Sequence, residues 1–197
     1  MTGSERREQL LDIGRAVFAE KGYPSASVEE IATRAGVTKP VVYEHFGGKE
    51  GLYAVVVDRE MRILLERITG ALEGGSARVR TERAADAFLA YIEESPDGFR
   101  VLLRDSPAVA GIGSFGSLIG EIANQVDSLL ATELTNRGFN RKFAPIYSRA
   151  VIGTIANVGQ WWLETGSPSR PVVVAHIVNI VWNGIEGLEQ KPTVSKR

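Results

Sequence analysis

Residues 27–53 read SVEEIATRAGVTKPVVYEHFGGKEGLY, two short amphipathic runs on either side of Gly36-Val37. Ser27 stands three residues before Glu30, a capping-box spacing, and opens a helix that should end near Ala35. Thr38 can cap the second run. Pro40 is tolerated in its first turn, where amides lack helical partners, and Gly47-Gly48 stops it near Phe46. Ile31, Ala32, Val37 and Val42 fall where the two helices would pack on each other. Two short helices joined by a tight Gly-containing turn have helix-turn-helix spacing. Ala32 must be small where the helices cross, and Gly36 supplies the positive φ at the corner. The second helix of such a motif enters the major groove, about 12 Å wide, with its first residues at the base edges. Here those residues are Thr38, Lys39, Pro40 and Val41.

The helical period continues on both sides. Leu10, Gly14, Val17 and Phe18 share one face of residues 5–21, Thr2 and Glu5 have capping-box spacing, and Gly22-Tyr23-Pro24 is a stop signal. From Lys49 to about Glu73 a long helix carries the stripe Tyr53, Val57, Met61, Leu64, Leu65, Ile68 and Leu72, and Glu73-Gly74-Gly75-Ser76 reads as a linker. Further helices are expected at 82–95, 97–104, 117–137, 141–165 and 171–189, with a Gly- and Ser-rich loop within 105–120. Residues 172–185 (VVVAHIVNIVWNGI) also suit a buried strand, being rich in β-branched side chains. Length and the series Ile177, Val181, Gly184, Ile185, Leu188 favour a helix. Val174, Val178 and Trp182 lie on another face, so that helix must be covered on more than one side, and a subunit contact is the preferred cover. The expected fold is all-α.

Composition narrows the chemistry. The 197 residues hold no Cys and two His, His45 and His176, which excludes disulfides and Cys nucleophiles and leaves little for a metal centre. Charged residues begin at once, with no apolar signal region, and no uncharged apolar run reaches membrane length. A cytoplasmic protein is expected. Net charge is −1, and residues 1–60 carry 8 Lys or Arg against 10 Asp or Glu. No bulk basic patch advertises nucleic-acid binding, so the positions of single charges must carry it.

Phe18 through Tyr23, Ile31-Ala32, Gly36-Val37, Val42-Tyr43 with Phe46, and Lys49-Glu50 resemble the N-terminal domain of the TetR family of bacterial transcriptional regulators over about residues 5–60. The rest agrees in helix count, in length and in the Trp161-Trp162 and Trp182-Asn183-Gly184 region. The resemblance implies a helix-turn-helix head at 5–60, a helical ligand-binding and dimerisation body at 61–189 and a polar tail at 190–197. It also implies a homodimer that binds a palindromic double-stranded DNA operator, with repression as the expected mode and release by a small-molecule effector. By position Lys39 and Val41 face bases and Thr38 bonds a phosphate or base. Tyr43, His45 and Lys49 hold the phosphate backbone. The side chains suit those roles: Lys39 can donate to guanine O6 or N7, Val41 can touch a thymine methyl, and a Tyr hydroxyl fits a phosphate oxygen. Glu44 has to point away or pair with a base. The acidic head fits if Glu5, Glu8, Asp12, Glu29 and Glu30 lie off the DNA face.

In the body, residues 142–165 and 171–189 are expected to form a four-helix contact with their two-fold mates, burying Ile155, Val158, Trp162, Ile177, Val181, Trp182 and Ile185. Trp161 and Trp162 cannot face one direction, so one is available to an effector cavity. Candidate lining residues between about 60 and 165 are Phe88, Tyr91, Phe99, Phe115, Asn157, Gln160 and Trp161, with core packing as the alternative for the aromatics. No catalytic residue, metal or cofactor is implied. Gly111-Ile-Gly113-Ser-Phe-Gly116 matches GxGxxG, but no strand leads into it. Serine catalysis lacks a placed His. The competing readings are an all-helical adaptor whose helix-turn-helix serves packing only, and, behind it, a helical small-molecule enzyme.

Overall fold

Thr2 opens the first helix with the expected capping box: its hydroxyl accepts from the Glu5 N–H at 3.2 Å, and the Glu5 carboxylate accepts from the Thr2 N–H at 2.7 Å. The computed structural model describes residues 2–104 and 115–193, with Phe115 described by its backbone alone. Its order is α1 (Gly3–Ser25), α2 (Val28–Ala35), α3 (Lys39–Phe46), α4 (Lys49–Ala71), α5 (Ala77–Glu94), α6 (Pro96–Leu103), α7 (Phe115–Asn136), a 3-10 turn at Arg141–Phe143, α8 (Ala144–Thr165) and α9 (Arg170–Glu186). No strand occurs among the described residues, and 172–185 lie in helix.

Three boundaries depart from the sequence reading for visible reasons. α1 continues past the stop signal because Gly22 kinks it at φ 75° and helix resumes through Pro24. α5 starts at Ala77 rather than residue 82. There Ser76 Oγ accepts from the Val79 N–H at 3.4 Å, and Arg80 donates to the Gly75 carbonyl at 2.9 Å. α9 stops at Glu186, where the Arg137 guanidinium donates to the carbonyls of Ile185 and Glu186. In the glycine motif, Gly111 to Ser114 lie outside the described residues and Gly116 is the second residue of α7.

The chain divides into two compact units: Met1–Leu64 with Glu94–Leu118, and Leu65–Glu93 with Ile119–Arg197. The first is centred on Leu10, Phe18, Ile31, Val42, Leu52 and Phe99, all buried. It takes in α6, which packs on α1. Arg104, the C-cap of α6, donates to the Phe18 carbonyl at 3.3 Å, and the Tyr53 hydroxyl donates to the Arg104 carbonyl at 3.1 Å. Glu60 is 1% exposed. Its carboxylate pairs with Arg15 at 3.1 Å and accepts from the Ser95 hydroxyl at 3.3 Å. A charge taken out of water needs such partners, because desolvation otherwise costs several kcal/mol, roughly, per ion.

In the second unit Phe88, Leu89, Ile92, Ile122, Ile152, Trp162, Ile177 and Val181 are buried. α8 approaches α5 so closely that a Cβ on Gly159 would strike the Phe88 ring. Arg170, at the start of α9, pairs with Asp86 and Glu93 of α5. Ser148, fully buried, donates to Asp127 of α7.

Candidate nucleic-acid interface

The turn between α2 and α3 is closed by Gly36 at φ 65°, a left-handed conformation that glycine adopts without a Cβ penalty. The Val37 N–H returns to the Ala32 carbonyl at 2.9 Å, and the buried Ala32 and Ile31 sit beneath the crossing. On α3, Val42 and Phe46 turn inward, one helical turn apart. Thr38, Lys39, Pro40, Tyr43 and Glu44 are exposed, and Val41 and His45 are half-buried. Thr38 is the N-cap but makes no side-chain capping bond. Its hydroxyl is not spent on its own helix. The expected head residues, Lys49 apart, thus occupy one exposed side of α3 or its margin.

Tyr43 is 54% exposed, and its ring covers Gly48, where a Cβ would lie 3.2 Å from the ring. The ring is therefore propped against the turn into α4. Phe46 is backed by the Arg7 guanidinium, 4.9 Å from its centroid, and by the His45 ring at 6.0 Å. A Cβ on Gly51 would collide with the Phe46 carbonyl, so only glycine lets α4 pass so close to the end of α3.

Lys49 is placed otherwise than the resemblance implies. Its ammonium donates to the carbonyls of Tyr23 and Ala26, both at 3.0 Å, and of Pro24 at 3.4 Å. It also lies 4.5 Å above the Tyr23 ring. An ammonium has three N–H donors, and here three carbonyls of the α1–α2 turn take them. Lys49 thus ties the start of α4 to that turn, instead of reaching outward to a phosphate.

Most acids of the head are consumed away from α3. Glu30 pairs with Lys21 and Arg34, Glu20 with Arg34, and Glu8 and Asp12 with Arg59. The hydrogen bond from Arg34 holds the Glu20 carboxyl below its ordinary pKa, and that from Lys21 does the same for Glu30. Glu29 breaks the expected pattern. It pairs with Lys39 at 2.9 Å, its side chain 72% exposed against 52% for the lysine. The Lys39 hydrogen bond, then its charge, lowers the Glu29 pKa, so the carboxylate is ionised at neutral pH. The sequence reading missed this pair, because ten positions separate the two residues and the turn alone brings them together.

The order of a helix-turn-helix head and a helical body is mirrored in two family matches. Residues 10–56 match the bacterial regulatory proteins of the tetR family, and residues 67–196 match the tetracyclin repressor-like C-terminal domain. The chain belongs to the TetR family. It is 30% identical over 189 residues to the HTH-type transcriptional activator FasR of Mycolicibacterium smegmatis, covering 92% of this chain and 83% of that protein. Its fold matches a TetR-like transcriptional regulator from Rhodococcus sp. RHA1 with a TM-score of 0.74 at 24% identity, covering 93% and 97% of the two chains. The fatty acid degradation regulator FadR of Bacillus halodurans also aligns with a TM-score of 0.74, at 21% identity, over 91% of this chain and 96% of that one. This TetR-family chain is accordingly a DNA-binding transcriptional regulator.

The body residues named from sequence are distributed differently from expectation. Trp162, Ile177 and Val181, expected at a subunit contact, are buried within the protomer, and the Trp162 indole donates to the Pro168 carbonyl at 2.7 Å. Ile155, Val158, Trp182 and Ile185 are half-buried. The apolar side chains facing outward on α8 and α9 are Ile146, Trp161, Val172 and Ile180. Trp161, expected in an effector cavity, is 49% exposed, Asn157 is exposed and Gln160 is half-buried. Phe88, Tyr91 and Phe99 are buried core residues, Phe99 in the first unit, while the Phe115 side chain lies outside the described residues. Among the described residues no cluster of His, Cys, Asp or Glu could hold a metal, and no helix is long and apolar enough to cross a membrane.

Proposed function

We propose that this regulator binds a palindromic operator as a homodimer, inserting α3 into the major groove, and that a small-molecule effector releases it. The supporting observation is the division of α3: Val42 and Phe46 are buried while Thr38, Lys39, Pro40 and Tyr43 stand outside. Lys39 and Val41 read base edges, Thr38 and Tyr43 bond phosphates, and His45 lies at the margin of the contact. Lys49 acts from within, fixing the helix that follows. Repression results where the operator overlaps a promoter.

The homodimer contact uses the outward face of the α8–α9 hairpin. Ile146, Trp161, Val172 and Ile180 provide apolar area, and small residues between them, Ala150, Gly153 and Gly184, permit close helix approach. The dimer then presents two recognition helices about 34–36 Å apart, one helical turn of DNA.

The effector is an apolar molecule. Within the second unit a cavity of about 50 Å³ is lined by Leu72, Val126, Leu129, Leu130, Val151 and Ile185, with Arg80 and Glu133 at its polar edge. It takes only the tip of an acyl chain as it stands, so a larger ligand binds an opened state and shifts the population toward it. One structural neighbour is described as a fatty acid degradation regulator and another as a "putative fatty acid metabolism regulator", which makes acyl compounds the first effectors to try.

Selection of bound duplexes from a random pool tests the DNA reading, with Lys39→Ala run in parallel. The expected result is a palindrome with half-sites about one turn apart. The variant should lose about 1–3 kcal/mol and relax preference at one base pair per half-site. Absence of any enriched sequence with dimeric protein, with and without acyl compounds, would sink it.

A further inference from the structure

Glu29 belongs to α2, yet its partner is the first residue of the recognition helix. The other acids that pair in the head, Glu8, Asp12, Glu20, Glu30 and Glu60, pair with Arg15, Lys21, Arg34 and Arg59, none of them on α3. A bare carboxylate near a DNA-binding surface opposes the approach of phosphates, so the placement of this one calls for a physical reason.

A lysine is a point charge on a flexible stem and serves any phosphate it meets. Phosphate contacts carry no sequence information. Lys39 has three N–H donors and gives one to Glu29 Oε2, which leaves two for guanine O6 and N7. Donation to guanine is compatible with keeping Glu29. A phosphate accepting those donors would bring its own negative charge up to the Glu29 carboxylate and be repelled by it, whereas a guanine edge carries no net charge. In free protein the pair is solvated and screened. In the groove, where water is partly displaced, its Coulomb energy grows.

We infer that Glu29 is a positioning residue for sequence reading, which holds the Lys39 ammonium for base edges and withholds it from phosphates. The inference rests on the reading that Lys39 addresses bases. Glu29 thereby lowers affinity for unrelated DNA more than for the operator, and the ratio of the two affinities depends on it.

The test uses the full-length dimer with the selected operator and an unrelated duplex of equal length, across a series of salt concentrations. Wild type is compared with Glu29→Gln, Lys39→Ala and the double variant, whose folding is checked by thermal melts. Glu29→Gln should tighten binding to the unrelated duplex by about fivefold or more and leave the operator within about twofold, with a steeper salt dependence on the unrelated duplex. In the Lys39→Ala background the same substitution should move both duplexes by one common factor. Equal tightening on both duplexes in the wild-type background would reduce Glu29 to simple repulsion and overturn the inference, as would no change on either. Lys39→Ala weakening every sequence alike would instead refute base reading by Lys39, a failure recognisable without Glu29→Gln.

Discussion

In α3 one i, i+4 pair, Val42 and Phe46, turns inward and the exposed residues are Lys39, Pro40, Tyr43 and Glu44, whereas α9 buries Val173, Val174, Ile177, Val178 and Val181 and still presents Val172 and Ile180 to solvent. With a single apolar stripe, the outside of a helix follows from its inside. With apolar residues all round, pattern gives two candidate faces and no means of telling core from contact. The α8–α9 hairpin makes the point with two adjacent side chains: Trp162 is buried and bonded to Pro168, while Trp161 is half in solvent.

That pair offers the largest expected effect. Trp162→Ala should destabilise the protomer by about 3–5 kcal/mol, a cavity plus a lost bond. Trp161→Ala, or Ile180→Lys, should leave protomer stability within about 0.5 kcal/mol and instead shift the dimer toward monomer. Urea unfolding together with sedimentation velocity separates the two. Similar unfolding losses for both tryptophans would erase the distinction between the faces.

A sharper comparison sets Gly51, against α3, beside Gly184 on the exposed side of α9. Gly51→Ala drives a Cβ into the Phe46 carbonyl and should cost about 3 kcal/mol, with operator affinity falling as α3 shifts. Gly184 has open space within the protomer, and Gly184→Ala should raise protomer stability by up to about 1 kcal/mol while loosening the proposed dimer contact. Denaturation midpoints check both. Next in size, Lys49→Met should cost about 2 kcal/mol, since carbonyls of the α1–α2 turn lose a charged donor. Its salt dependence of DNA binding should match wild type. A slope lowered by about 1 per head would return Lys49 to the phosphates.

The smallest effect is the acid sensitivity of the head. Glu20, Glu29 and Glu30 have lowered pKa values through Arg34, Lys39 and Lys21 respectively. A carboxylate with a depressed folded-state pKa contributes stability above its unfolded value and loses it as pH falls through the folded one. The melting temperature should therefore be flat from neutrality to the ordinary carboxylate range and decline below it, less steeply in high salt or in Arg34→Gln. Because these pairs lie at the surface, where solvent screens them, the decline should be slight. Acid sensitivity unchanged in Arg34→Gln would remove this network from the account.

The legible parts share one property. The turn at Gly36, the caps at Thr2 and Ser27, the inward Val42 and the outward Tyr43 each rest on interactions within a few residues along the chain. Helix content and the helix-turn-helix follow from such local terms. The parts that spacing does not show depend on groups distant in sequence. Lys49 finds carbonyls more than twenty positions earlier, Glu29 meets Lys39 across the turn, and Glu60 is buried because Arg15 and Ser95 converge on it.

By itself, then, the amino-acid order determined an all-helical chain with a DNA-reading head, because periodicity, capping and turn glycines are local and their energies add along a helix. Tertiary structure alone decided which of two apolar faces on α8 and α9 stays outside, and that Lys49 turns back on the α1–α2 turn while Lys39 stands exposed beside Glu29. Those choices turn on burial and charge pairing between segments remote in the chain, and neither is encoded in spacing.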